Sequence, residues 1–151
     1  MLETKKYELP EQIQLFFEFS AGQIYESVGR DDYALQKYLN CKTLGERLEF
    51  NNPDRALSFC GMGSVLYHME EYKLATRCFL KAREIRETIL GGDTVDTASV
   101  YNNLGCCMFF LGRIKESFSY FKLSQAIMEA ELGMFHFRTH TVNYENYYFV
   151  F

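Results

Sequence analysis

Slid along itself, the sequence matches at a fixed offset, and that periodicity limits the chain to architectures built from one repeated supersecondary unit. At an offset of 42, Phe59 falls on Tyr101, Met62 on Leu104, Gly63 on Gly105, Leu66 on Met108, Ala75 on Ser117, Phe79 on Phe121, Ala82 on Ser124, Leu90 on Leu132 and Gly91 on Gly133. At an offset of 41 an earlier stretch joins, with Gly22 on Gly63, Tyr25 on Leu66, Ala34 on Ala75, Tyr38 on Phe79 and Cys41 on Ala82. Small falls on small and aromatic on aromatic. Three units are visible, and a fourth opens near Thr139.

The periodicity inside each unit is helical. There are only two prolines, Pro10 and Pro53, and β-branched alternation is scarce. From Glu11, the residues Ile13, Phe16, Phe17, Ser20, Ile24 and Val28 recur at three- and four-residue steps until Gly29-Arg30-Asp31-Asp32 breaks the pattern. A second helix from about Asp32 places Leu35, Tyr38, Leu39, Leu44 and Leu48 on its apolar face. Pro53 disfavours helix at the residue before it, and Asp54 is able to cap the next helix. The second pair covers roughly 54–68 and 72–90 and ends at Gly91-Gly92, which permit a left-handed C-cap. The third begins at Asp93-Thr94 or Asp96-Thr97, turns at Leu111-Gly112-Arg113 and runs to about Leu132. The expected fold is all-α, with an N-terminal lead-in (1–10) and a single domain (11–151). Its repeats cover about 11–52, 53–92 and 93–134, with a partial terminal repeat at 135–151.

A glycine inside a helix costs about 1 kcal/mol relative to alanine, so Gly22, Gly63 and Gly105 in register imply a packing reason. A small residue follows twelve positions later (Ala34, Ala75, Ser117), on the second helix of the unit. The two bare surfaces allow close approach, with Tyr38, Phe79 and Phe121 filling the space beside them.

A bulky residue, Leu or Met before glycine, a hydrophobe three later, a small residue twelve after the glycine, then an aromatic and another small residue: this pattern resembles the tetratricopeptide repeat over about residues 11 to 150. The long period, with Leu-Gly-Gly-Asp-Thr-Val-Asp-Thr-Ala (90–98) and Tyr-Asn-Asn-Leu-Gly (101–105), is most similar to the repeats of kinesin light chain. The sequence departs from the family in three places. No Trp opens a repeat, no Pro follows the second helix of the third unit, and Ala21 replaces leucine before Gly22. The resemblance implies a right-handed α-solenoid of antiparallel helix pairs, about three repeats plus a C-terminal helix, and a role in binding proteins.

In that family the first helices line the concave surface. Transferred position by position, this selects Phe19 and Gln23 in the first unit and Cys60, Ser64 and Tyr67 in the second. In the third it selects Asn102, Asn103, Cys106, Phe109 and Phe110. The lining is polar-aromatic and almost uncharged. The basic residues by which chaperone-type repeats clamp a terminal carboxylate have no counterparts here, whereas Asn102 and Asn103 carry both donors and an acceptor for the backbone of an extended peptide.

Other chemistry is weaker. Cys106 and Cys107 are neighbours on a helix and point about 100° apart, which suits buried or groove-lining thiols better than a shared metal or a disulfide. His136 and His140 have i, i+4 spacing but fall in an inter-repeat loop with no third ligand. Gly61-Met62-Gly63 lacks the strand and third glycine of a nucleotide fingerprint, and Glu70 with Glu71 reads as a solvated turn. Lys81, Arg83 and Arg86 interleave with Glu84 and Glu87 as a solvated helix face. A formal net charge of −4 opposes nucleic-acid binding. No run is long enough to span a membrane, and Met1-Leu2-Glu3-Thr4-Lys5-Lys6 is no secretion signal. Five cysteines without regular spacing suit a reducing, cytoplasmic or cytoskeletal setting.

These features predict a protein-binding adaptor that is not an enzyme, takes no cofactor or metal, and grips a peptide or helix of a larger protein. The alternative is a scaffold subunit of a ciliary or microtubule-associated assembly. It would be held by its outer face and by an aromatic end in which Tyr144, Tyr148, Phe149 and Phe151 are available to a partner or a second copy of the chain, while Val142, Tyr147 and Val150 turn inward.

Overall fold

In the computed structural model, residues 9–48 and 54–133 are described. They form six helices: α1 (Glu11–Ser27), α2 (Asp31–Arg47), α3 (Asp54–His68), α4 (Tyr72–Leu90), α5 (Val95–Phe110) and α6 (Ile114–Leu132), with no strand among the described residues. Each odd helix pairs with the even one after it, and α2 packs on α3 as α4 packs on α5. First helices also touch, α1 with α3 and α3 with α5, which puts them on the inner side of a helical solenoid.

The tight turns within units share one backbone device. Gly29, Glu70 and Gly112, at equivalent positions, have φ of 70°, 62° and 74°. Glu70 carries a side chain in the left-handed region that glycine adopts without strain. Between units, Gly91 has φ 85° and ψ 163°, so the left-handed C-cap expected there is instead an extended, positive-φ exit open to glycine. Thr94 is the N-cap of α5, its side chain accepting from the Thr97 backbone N–H at 3.2 Å. Asp54 is the first residue of α3, and Pro53 lies outside the described residues.

The core is built on rings seated against glycines. A Cβ added at Gly22 would lie 2.7 Å from the Tyr38 ring, at Gly63 2.7 Å from the Phe79 ring, and at Gly105 2.6 Å from the Phe121 ring. The aromatic ring, not the small residue alone, therefore occupies the bare glycine surface. The small residues lie beside it, Ala34 and Ala75 fully buried and Ser117 donating its hydroxyl to the Gly105 carbonyl at 2.8 Å. A second link recurs seven residues later. Cys41 Sγ donates to the Leu15 carbonyl at 3.6 Å and Ser124 Oγ to the equivalent Ala98 carbonyl at 2.7 Å, while buried Ala82 stands at this position in the second unit.

Two further expectations change. Ile13, Phe16, Phe17, Ile24 and Val28 are exposed, and α1 instead buries Leu15 and Gly22; on α2, Leu39 is also exposed. The helical period was real, but α1 has no preceding unit against it among the described residues. Arg86 is not part of a solvated face: it is buried and donates to the Asp96 carbonyl.

Gly63→Ala is expected to lower stability by about 1–2 kcal/mol, because overpacking against Phe79 outweighs alanine's helical advantage. Urea unfolding checks this, and adding Phe79→Leu is expected to recover part of the loss.

Candidate functional site

The inner face carries a cavity of about 250 Å³ between α3 and α5. Its walls are Ser64, Tyr67 and His68 from α3, Asn102, Asn103 and Cys106 from α5, and the Phe79 ring from α4. The repeat explains its position. At the junction of the first two units, Gly61 admits the Tyr38 ring, 2.5 Å from where a Cβ would stand, so one tyrosine is shared by Gly22 and Gly61. At the next junction Asn103 occupies the place of Gly61. Its side chain and the Phe79 ring border the cavity instead of closing it.

Five residues selected from the sequence, Ser64, Tyr67, Asn102, Asn103 and Cys106, meet at this cavity. The others are placed differently. Phe19 is half-buried with its ring 5.7 Å from Tyr38, and Cys60 packs against the core around Leu66 and Phe79. Gln23 is exposed on α1. Phe110 is exposed, stacks on Tyr72 at 4.8 Å, and meets Tyr67 edge-on at 5.7 Å, with Phe109 at right angles to it. Tyr67 thus joins the cavity to an aromatic cluster. Tyr144, Tyr148, Phe149 and Phe151, with His136 and His140, lie outside the described residues.

Glu26 was missed, although the register marks it: it is equivalent to Tyr67 and Phe109, both selected. Its Oε2 accepts from the Tyr38 hydroxyl at 2.8 Å, its Oε1 accepts from the Ser64 hydroxyl, and His68 Nδ1 stands 3.9 Å from Oε1. Burial first, then Glu26, drives the Tyr38 hydroxyl well above its ordinary range.

Burial favours the protonated form of four of the five thiols. Burial pushes Cys41 from 9.0 up to about 12 and Cys107 up to about 11, and raises Cys60 and Cys78. Burial, then the Glu87 carboxylate accepting its hydrogen bond, pushes the Tyr101 hydroxyl from 10.0 up to about 12. No group of three or more metal-ligating side chains occurs among the described residues, and no helix there is long and apolar enough to cross a membrane.

The fold defines a class, the helical repeat solenoid of stacked antiparallel helix pairs. The sequence profile of the tetratricopeptide repeat matches residues 53–130, and the chain belongs to that family of protein–protein interaction modules. Three solved structures share the fold. The tetratricopeptide domain of Arabidopsis FLU aligns with TM-score 0.74 at 15% identity, over 81% of this chain and 100% of that one. BtubC (BKLC) from P. vanneervenii aligns with TM-score 0.76 at 16% identity, over 83% and 50%. A Rap protein complexed with Competence and Sporulation Factor aligns with TM-score 0.72 at 21% identity, over 83% and 34%. The chain therefore spans half of BtubC and about a third of Rap. No curated protein sequence matches it.

The raised thiols and phenols fix a pH dependence. Each group stays protonated in the folded chain where the unfolded chain ionises, so its stabilisation is complete below the unfolded pKa and is lost as pH rises toward the folded value. Stability in urea is expected to fall from about pH 9 to pH 11. The fall should be shallower in a Cys41→Ala, Cys107→Ala variant.

Proposed function

We propose that this protein is a non-catalytic adaptor that holds a peptide or helix of a partner protein on its concave face, seated at the α3–α5 cavity. The observation that carries this reading is the convergence of hydroxyl, amide and aromatic groups from two units on one cavity. Ser64, Asn102 and Asn103 offer donors and acceptors to a backbone, and Tyr67 with the Tyr72–Phe110 stack offers an apolar rim. A neighbour in fold, Rap, is complexed with a factor. The tagged chain and a Tyr67→Ala, Asn102→Ala, Asn103→Ala variant of unchanged circular dichroism are to be compared by capture from native extract. Loss of a specific partner from the variant is expected, and an identical partner set would remove the groove as the working surface.

A second reading, a scaffold subunit in a larger assembly, has its own observation. Phe17 and Ile24 stand at the positions of Ser58 and Val65 in α3 and of Val100 and Cys107 in α5. Val65 packs with Ala34 and Tyr38, and Val100 and Cys107 pack with Ala75 and Phe79, which belong to the second helix of the preceding unit. Phe17 and Ile24 are 56% and 63% exposed. A helix from an assembly partner would cover them as α2 covers α3. On this reading, Phe17→Ser with Ile24→Ser releases the chain from its assembly while the groove variant does not, as size-exclusion profiles of extract would report.

A further inference from the structure

Resting on the groove reading above, we infer that Glu26 makes the concave face selective for a partner segment that places a lysine or arginine side chain beside the α3–α5 cavity. Glu26 belongs to the same register row as Tyr67 and Phe109 and stands where α1, α2 and α3 meet. Both side chains that link it to the cavity, Ser64 and His68, are cavity walls, so the carboxylate closes the first-unit end of the groove.

Among the described residues, the walls contain no lysine, arginine, aspartate or glutamate. The carboxylate thus sets the sign of the local field, and an acidic segment meets repulsion there. Of the cations on the chain around Glu26 and Tyr38, Lys37 pairs with Glu18 at 3.1 Å and Arg30 stands over the Tyr33 ring at 4.7 Å.

Glu26 is also prepared for a ligand. Its side chain is 19% exposed, open enough to reach and closed enough to escape full screening by water. Two hydroxyl donors fix its orientation, so little ordering remains to be done on binding. A carboxylate has about four acceptor positions, and two hydroxyls leave capacity for a charge-assisted donor. The Tyr67 ring on the cavity wall suits the aliphatic stem of such a side chain.

The probe is a phage-displayed random peptide library selected on the full chain, with the enriched peptides resynthesised and measured by fluorescence anisotropy. Enrichment of Lys or Arg at one fixed position is expected. Norleucine at that position should weaken binding by about tenfold or more in the wild type and by less than about twofold in Glu26→Gln. His68→Lys, at an exposed position, supplies a permanent cation beside Glu26 without touching the core and should erase the same preference. Enriched peptides without a basic residue, or an equal norleucine penalty in all three proteins, overturn this inference while the groove reading stands. Enriched peptides indifferent to Tyr67→Ala and Asn103→Ala overturn the groove reading itself. A library yielding no binder overturns both.

Discussion

Everything in this fold hangs on an aromatic ring seated where a helix carries a glycine in place of a side chain. Gly22, Gly63 and Gly105 are poor helix formers, and each accepts that cost so that Tyr38, Phe79 or Phe121 can lie directly on backbone. The ring sets the distance between the two helices of a unit. The small residue beside it and, in the third unit, the Ser117 hydroxyl fix their rotation. Three copies of one contact yield three nearly identical helix pairs, and the stacking of pairs follows.

The inner-face cavity arises where that contact is varied. Tyr38 is held between two glycines from successive units and seals their junction. Phe79 has a glycine on one side only, and the asparagine opposite leaves a polar hollow between the second and third units. A single change of residue type at one register position, Gly61 to Asn103, separates a closed junction from an open one. The groove is therefore not an addition to the repeat but a place where its core is left unfinished.

Much of this was legible in the sequence. The offset of 41 or 42 gave the helix pairs, the turns and the ring-on-glycine positions, because such packing leaves a size pattern that survives divergence. The row structure of the inner face found Ser64, Tyr67, Asn102, Asn103 and Cys106, and the same row holds Glu26, which a search for neutral polar and aromatic residues passed over. Two things were hidden. Apolar periodicity on α1 marks a surface fit for burial without saying whether anything covers it, so Phe16, Phe17 and Ile24 read as core and are exposed. Conversely, charge hid the burial of Arg86, whose guanidinium is satisfied by a backbone carbonyl ten residues away that local pattern does not register.

Because each helix meets chiefly its near neighbours along the chain, the loops closed during folding are short, and folding can begin in any unit and spread by stacking. Opening runs in reverse and is graded along the solenoid. A helix held on one side among the described residues, as α1 is, is expected to exchange its amide protons sooner than α3 or α4, which are held on both. The hollow between the second and third units thus sits in the stretch of the described chain that is held from both sides, where local opening costs most.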